Sequence, residues 1–225
     1  MSVQQKRLGA GTTYATPYYE ILSGRKGPSV MIVAGIHGNE TASIGAAKKL
    51  AAKFSAYELA LKKGSLVIVP IANQQAYRAR VRGKPDLNRQ FPRKAGKPAR
   101  HPLAAALFEL AKRWQPAWYL DLHEANGLSQ INPHRLGQTL ITHSGSRAIP
   151  AARKIMRNVN RQVSAKSRRF NLRQHALPGS SRTAAARILK SRAVTVETCW
   201  SLKKSERVNY QLEIATRFLR EAGLL

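Results

Sequence analysis

The stretch SVMIVAGIHGNETASIGAAKKLAAKF, residues 29–54, decides the fold. Residues 29–36 are apolar or small and rich in β-branched side chains, as a strand buried on both faces requires. From residue 40 the period changes. Ile44, Ala47, Leu50, Ala51 and Phe54 recur at three- and four-residue steps and gather on one face of a helix over 40–54. A buried strand followed by an amphipathic helix is the start of a βαβ unit. Between the two stands HGNE, residues 37–40, at the strand's carboxyl end, where an α/β sheet opens its ligand crevice.

The alternation continues along the chain. Strands are expected at 66–71, 117–122, 139–143 and 193–198. Helices are expected at 103–114, 148–163 and 205–222, the last with Val208, Leu212, Ala215 and Leu219 inward. This pattern predicts an α/β protein, three-layer α/β/α with a mostly parallel mixed sheet. Residues 72–102, full of arginine, proline and glycine, read as a loop, and 164–178 as a mobile basic loop. With no internal repeat and no linker-like segment, the 225 residues are expected to form one domain with one core, residues 1–225.

Lysine and arginine number 39 against 11 aspartates and glutamates, a formal charge of +28. Such a charge attracts anions at long range, whether nucleic acid, anionic lipid, cell-wall polymer or small acidic substrates. The cations concentrate between Arg78 and Arg100 and between Arg147 and Arg173. No zinc-finger, KH or RNP pattern accompanies them, so contact with an anionic polymer rests on bulk charge alone. No apolar run approaches the ~20 residues of a membrane span, and the first residues lack an apolar signal segment. A cytoplasmic protein without membrane contact is expected. The single Cys199 cannot form an intrachain disulfide and reads as a small buried side chain.

Carboxylates are scarce, yet Glu40, Asp86, Asp121, Glu124 and Glu197 fall within four short segments: HGNE, DLNRQF (86–91), LDLHE (120–124) and VTVET (194–198). His37 and Glu40 form an H-x-x-E pair at a helix entry, and His123 closes another expected strand. Two imidazoles, a carboxylate and a water make the open tetrahedral zinc site of a hydrolase. Asp121, two residues before His123, shares its face and is suited to steadying a ligand. Glu124 points the other way and reads as supporting structure, while Asp86 reads as a turn brace. His101, His134, His143 and His175 lack ligand spacing.

HGNE, then NQQAYRARVRGKPDLNRQF (73–91), LDLHEA (120–125) and VTVET, in this order, resemble the zinc carboxypeptidase clan, and within it the succinylglutamate desuccinylase and aspartoacylase branch. That branch carries H-G-[ND]-E, N-P-x-A, an arginine, D-L-N-R-x-F, a D-L-H after a strand and a late-strand glutamate. The resemblance spans residues 30 to about 200 and implies the zinc carboxypeptidase-like, or phosphorylase/hydrolase-like, fold. It implies one zinc ion per chain held by His37, Glu40 and His123, with Glu197 as general base. Arg82 would polarise the scissile carbonyl, with Arg80 as competitor because the loop length differs from the family by about one residue. Asn88 and Arg89 would grip a substrate carboxylate. Asn73 matches the family's asparagine, although Gln74 replaces the usual proline. PGSSRTAAA (178–186) resembles the segment before the glutamate strand, making Arg182 either a second carboxylate-binding group or a solvated loop cation.

Physical chemistry agrees with these roles. Zinc brings the pKa of its water near 7, and a carboxylate nearby then serves as base. A guanidinium aimed at the carbonyl oxygen stabilises the developing charge, and its fork fits a carboxylate. The resemblance therefore implies a deacylase of N-acyl amino acids. A metallocarboxypeptidase or murein-peptide amidase is the alternative, and a polyanion-binding protein on the same scaffold a third reading. Only 28 residues follow Glu197, so the C-terminal β domain of longer relatives is expected to be absent, or its role taken by another subunit of a homo-oligomer.

Overall fold

The computed structural model describes residues Met1–Leu225. One eight-stranded sheet runs through it. Its strands are β1 (Ser2–Leu8), β2 (Thr16–Leu22), β3 (Ser29–Ala34), β4 (Ser65–Val69), β5 (Trp118–Ala125), β6 (Thr139–Thr142), β7 (Asn171–Gln174) and β8 (Arg192–Cys199), in spatial order 1-2-4-3-5-8-6-7. The centre, β4-β3-β5-β8, is parallel. Antiparallel partners flank it, β2 on β4 and β6 on β8. The helices are α1 (Thr41–Ser55), α2 (Gln74–Ala79), α3 (Pro102–Trp114), α4 (Ile149–Asn160), α5 (Ser181–Ile188) and α6 (Lys204–Glu221).

Alternation along the strands sorts the core into two. Val30, Ile32 and Ala34 of β3, Leu120 and Leu122 of β5, and Val194 and Val196 of β8 pack with Leu50 and Phe54 of α1, Ile155 of α4 and Phe218 of α6. Met31, Val33, Tyr119 and Ala193 point to the opposite face and meet Leu103 and Leu107 of α3 and Ala184 of α5. This is the expected α/β/α arrangement, and each fully buried Leu, Ile or Phe contributes roughly 1.5–3 kcal/mol. Asp121, His123, Thr195 and Glu197 continue the second face toward the carboxyl ends of β5 and β8.

Three expectations need correction. Residues 2–22 add to the expected elements a β1–β2 hairpin at the sheet edge. Its outer strand carries Lys6 and Arg7 and is largely exposed, so it lacks the apolar run by which buried strands are recognised. The basic segment 164–178 carries β7, paired in parallel with β6. The 72–102 loop contains α2 and a 3-10 turn at Leu87–Arg89. No helix is long and apolar enough to cross a membrane.

Candidate metal and catalytic site

The HGNE turn is held by close backbone packing. A Cβ on Gly38 would lie 1.9 Å from the carbonyl carbon of Ala76, so the turn and α2 approach as only glycine allows. Gln74, standing where the resemblance has proline, donates to Thr16 Oγ1 at 3.0 Å and fastens α2 to β2. The turn delivers His37 and Glu40 to the entry of α1, opposite His123 on β5.

Ligating atoms of His37, Glu40 and His123 all lie within 4.8 Å of one another, and the three residues are buried. Nδ1 of His37 is 2.6 Å from Glu40 Oε1, and Nδ1 of His123 is 2.8 Å from Glu40 Oε2. The outer nitrogens face other carboxylates: His37 Nε2 is 2.9 Å from Asp86 Oδ1, and His123 Nε2 is 3.0 Å from Asp121 Oδ1. Ser181 Oγ in turn donates to Asp121 Oδ2 at 2.5 Å. Both imidazoles thus turn Nδ1 inward. The outer nitrogen of His37 is hydrogen-bonded to Asp86, as is common for metal-binding histidines. That of His123 lies against Asp121 without a hydrogen bond to it and meets the Asn88 amide at 3.2 Å. Burial works against the charge of Glu40, but the imidazoles of His123 and His37 outweigh it and hold its pKa down at about 2.

Glu197 sits beside His123 in the register of β5 and β8. Its carboxylate is buried, and Oε2 has no hydrogen-bond partner. Burial drives its pKa up to about 8; His123 opposes the rise, while Glu40 and Asp121 add to it.

Arg82 donates through Nε and Nη2 to Asp86 Oδ2, at 3.2 and 2.9 Å, and its Nη1 lies 3.8 Å from Glu40 Oε1. Arg80 turns away: it caps α2 with φ of 56° and stacks on Tyr77, 4.2 Å from the ring centroid. Of the two arginines, Arg82 alone reaches the cluster. Asp86 braces the turn as expected, accepting from the Asn88 amide at 2.9 Å, and additionally holds His37 and Arg82. His37 and Arg82 together override burial and keep its carboxyl well below the usual range.

Asn88 is buried with its amide engaged at both ends, 3.2 Å from His123 Nε2 and accepting from the Ser181 amide at 3.0 Å. Arg89 is more open, with Nη1 donating to Asn88 O at 2.9 Å. A cleft of about 370 Å³ joins these groups, lined on the polar side by His37, Glu40, His123, Glu197, Arg82 and Arg89, and on the apolar side by Leu136, Leu177 and Trp200. Nothing in the sequence marked those three apolar residues, because they come from separate loops.

Two candidates fall elsewhere. Asn73 Oδ1 caps α2 by accepting from the Ala76 amide at 3.0 Å, and the residue lines a different cavity of about 470 Å³ that contains no carboxylate. That cavity is larger, but its titratable groups are Tyr14, Lys84 and His101, the last of which caps α3, and no second histidine or carboxylate joins them. Arg182 is neither solvated nor in a loop. It lies in the first turn of α5, 2% exposed, with Nη2 donating to His175 O at 2.9 Å and Nη1 unpartnered. Burial lowers its pKa to about 10 against the pull of Asp121 and Glu197.

Strand alternation sends Glu124 to the face opposite His123. There it accepts from the Ala42 amide in the first turn of α1, at 2.7 Å, and pairs with Arg207 of α6. Gln211 of α6 donates to His123 O at 2.6 Å and to Thr198 Oγ1 at 3.1 Å.

A parallel-centred sheet with two histidines, a glutamate between them and an unpartnered carboxylate at its carboxyl edge defines an α/β protein with a cluster that could hold a metal ion. Residues 26–197 match the succinylglutamate desuccinylase/aspartoacylase catalytic domain, and the chain belongs to that family of hydrolases. Similar solved structures include the Gln46His variant of the cell shape determinant Csd4 from Helicobacter pylori, at 21% identity and TM-score 0.73, covering 100% of this chain and 56% of that one. The mDAP-bound form of Csd4, described as a D,L-carboxypeptidase, gives 18% and 0.67, covering 88% and 52%. A succinylglutamate desuccinylase/aspartoacylase from Rhodobacter sphaeroides gives 16% and 0.72, covering 100% and 66%. The chain spans about half the length of Csd4, and identities this low establish the fold alone. No curated protein matches the chain.

Proposed function

We propose that the chain is a zinc-dependent amide hydrolase that cleaves an amide next to a carboxylate in an N-acyl amino acid. The observation that carries this reading is Glu197: a buried carboxylate with a free oxygen, beside His123 and facing the cleft. Two inward imidazole nitrogens and one carboxylate suit zinc, whereas calcium and magnesium prefer all-oxygen sets. Zinc held by His37, Glu40 and His123 would lower the pKa of a coordinated water and polarise the substrate carbonyl. Glu197 then takes the proton of the attacking water and delivers it to the departing nitrogen. Arg82, anchored on Asp86 through Nε and Nη2, keeps Nη1 for the carbonyl oxygen as negative charge develops there. Arg89 offers its guanidinium to the substrate carboxylate, while Asn88 orientates His123.

A peptide substrate is the second reading, favoured by likeness to Csd4, for which tripeptide-bound and mDAP-bound forms exist. A scaffold that binds polyanions with its chemistry lost finds no support in so complete a set of ligands and base. Metal-free protein restored with zinc should hydrolyse N-succinylglutamate or N-acetylaspartate faster than murein tripeptide or C-terminal dipeptides; the reverse ranking selects the peptide reading. Glu197→Gln should abolish turnover with metal content unchanged. Parallel loss of metal would make Glu197 a ligand and overturn its assignment as base.

A further inference from the structure

The cleft at the candidate metal site has two unlike flanks, and the sheet order β4-β3-β5-β8-β6 sets them apart. Arg82 and Arg89 come from the segment that follows β4. The His37–Glu40–His123 cluster and Glu197 come from the ends of β3, β5 and β8. Trp200 leaves β8, and Leu136 precedes β6, whose Thr139 stands opposite Glu197. The cations and these apolar side chains therefore lie on opposite sides of the cluster. Leu177, in the loop after β7, adds to the apolar lining where that loop crosses toward Arg89: the Phe91 amide donates to Gly179 O at 3.0 Å.

Leu136, Leu177 and Trp200 are half-buried, and none of them packs against the hydrophobic clusters of the core. Core packing therefore does not account for them, yet each is held in place. The Trp200 amide donates to Ala125 O at 3.0 Å, extending the β5–β8 ladder. Leu136 O accepts from Thr139 Oγ1 at 2.7 Å, and a Cβ on Gly137 would lie 2.6 Å from Cys199 Cβ, so the Leu136 loop sits directly on the end of β8. The Leu177 amide donates to Thr183 Oγ1, and its carbonyl accepts from the Ser180 amide, both at 3.0 Å. Apolar side chains left partly open on a fixed backbone are a ready-made lining for an apolar group, with little left to order on binding.

Charge limits what else the cleft accepts. Arg82 and Arg89 are the only lysine or arginine side chains lining it, and Arg82 is anchored on Asp86. Arg182 is tied to His175 O and does not line the cleft. One guanidinium, that of Arg89, is left to receive one carboxylate. A second carboxylate across the scissile amide would meet Leu136, Trp200 and Glu197 with no cation to pair with. We propose that the cleft selects N-acyl amino acids whose acyl group is apolar, a short alkyl chain or an aromatic ring seated on Leu136, Leu177 and Trp200, with the amino acid's carboxylate on Arg89. This rests on the hydrolase reading above and narrows its substrate class to acyl groups without a carboxylate of their own.

Calorimetry on zinc-loaded Glu197→Gln separates binding from turnover, with N-hexanoylalanine and N-succinylalanine as the two probes. Hexanoylalanine should bind about tenfold more tightly or better, since each buried methylene is worth roughly fourfold in affinity. In the same background, Trp200→Ala and Leu136→Ala should each weaken hexanoylalanine about threefold or more and leave succinylalanine nearly unchanged. Leu136→Arg supplies the missing cation and should tighten succinylalanine instead, an effect that general damage to the fold cannot produce. Arg89→Ala should weaken both probes alike. Equal or tighter binding of succinylalanine, or an equal effect of the Trp200 and Leu136 changes on both probes, overturns the acyl assignment and leaves the hydrolase reading standing. Wild-type protein that binds hexanoylalanine with the expected preference but releases no alanine from it overturns the hydrolase reading and leaves the acyl site standing. Binding of neither probe overturns both.

Discussion

Asp121 and His123, two residues apart on β5, point the same way, with Oδ1 of the one 3.0 Å from Nε2 of the other. The carboxylate is itself held from behind by Ser181. Asp121→Asn keeps the shape and removes the negative charge beside the imidazole. Metal affinity, measured by competition with a chelator, should fall about 10- to 100-fold. An unchanged affinity would show that Asp121 only fills space.

Arg82 and Arg80 are separated by one residue but occupy different environments, the first at Asp86 and Glu40, the second on Tyr77. Arg82→Ala should lower kcat about a hundredfold or more at nearly constant metal affinity, because its interaction strengthens as charge develops. Arg80→Ala should leave kcat within a few-fold. Arg82→Lys should restore activity only in part, since an ammonium lacks the guanidinium fork. A crippling Arg80→Ala beside a mild Arg82→Ala would reverse the assignment.

Gly38→Ala forces a methyl group into the Ala76 backbone, and no flexible side-chain end is there to yield. The change should destabilise the protein by about 1–3 kcal/mol or more and displace His37. Denaturant unfolding and metal content should fall together. Wild-type stability in this variant would mean that α2 moves aside freely.

Glu197 gives the metal-free protein a distinctive pH dependence. Its pKa, about 8 when folded against an ordinary 4.5, means that the folded state binds the proton more tightly. The associated stability is fully present below the unfolded pKa and is lost as pH rises through about 8. Chelator-treated wild type should therefore lose Tm between pH 5 and pH 9 relative to Glu197→Gln, by roughly 5 °C or more. Identical profiles would place the carboxylate in a better-solvated setting than its burial indicates.

The inner sheet and the His37–Glu40–His123 cluster were legible in the sequence for one shared reason: they depart from the composition around them. Carboxylates stand out where there are 11 among 39 cations, and uninterrupted β-branched runs stand out against polar loops. The basic side chains offered no such contrast. Arg182 is the most deeply buried of the candidate arginines, yet nothing local distinguishes it from its many exposed counterparts. Asn73 is ambiguous because its residue type serves both helix capping and substrate binding, and the capping bond to Ala76 is a short-range matter settled within α2. β1 and β7 were missed because edge strands half in water need no apolar pattern.

The ties from α6 have a consequence in time. His37, Glu40, His123 and Glu197 all precede α6 in the chain, yet Arg207 anchors the carboxylate that fixes the start of α1, and Gln211 secures the carbonyl of His123. During synthesis, all four side chains emerge before the helix that locks them in place. A nascent chain arrested before Arg207 would hold all four side chains but lack both ties, so the rigidity of the cluster arrives as a late event, set by the docking of α6.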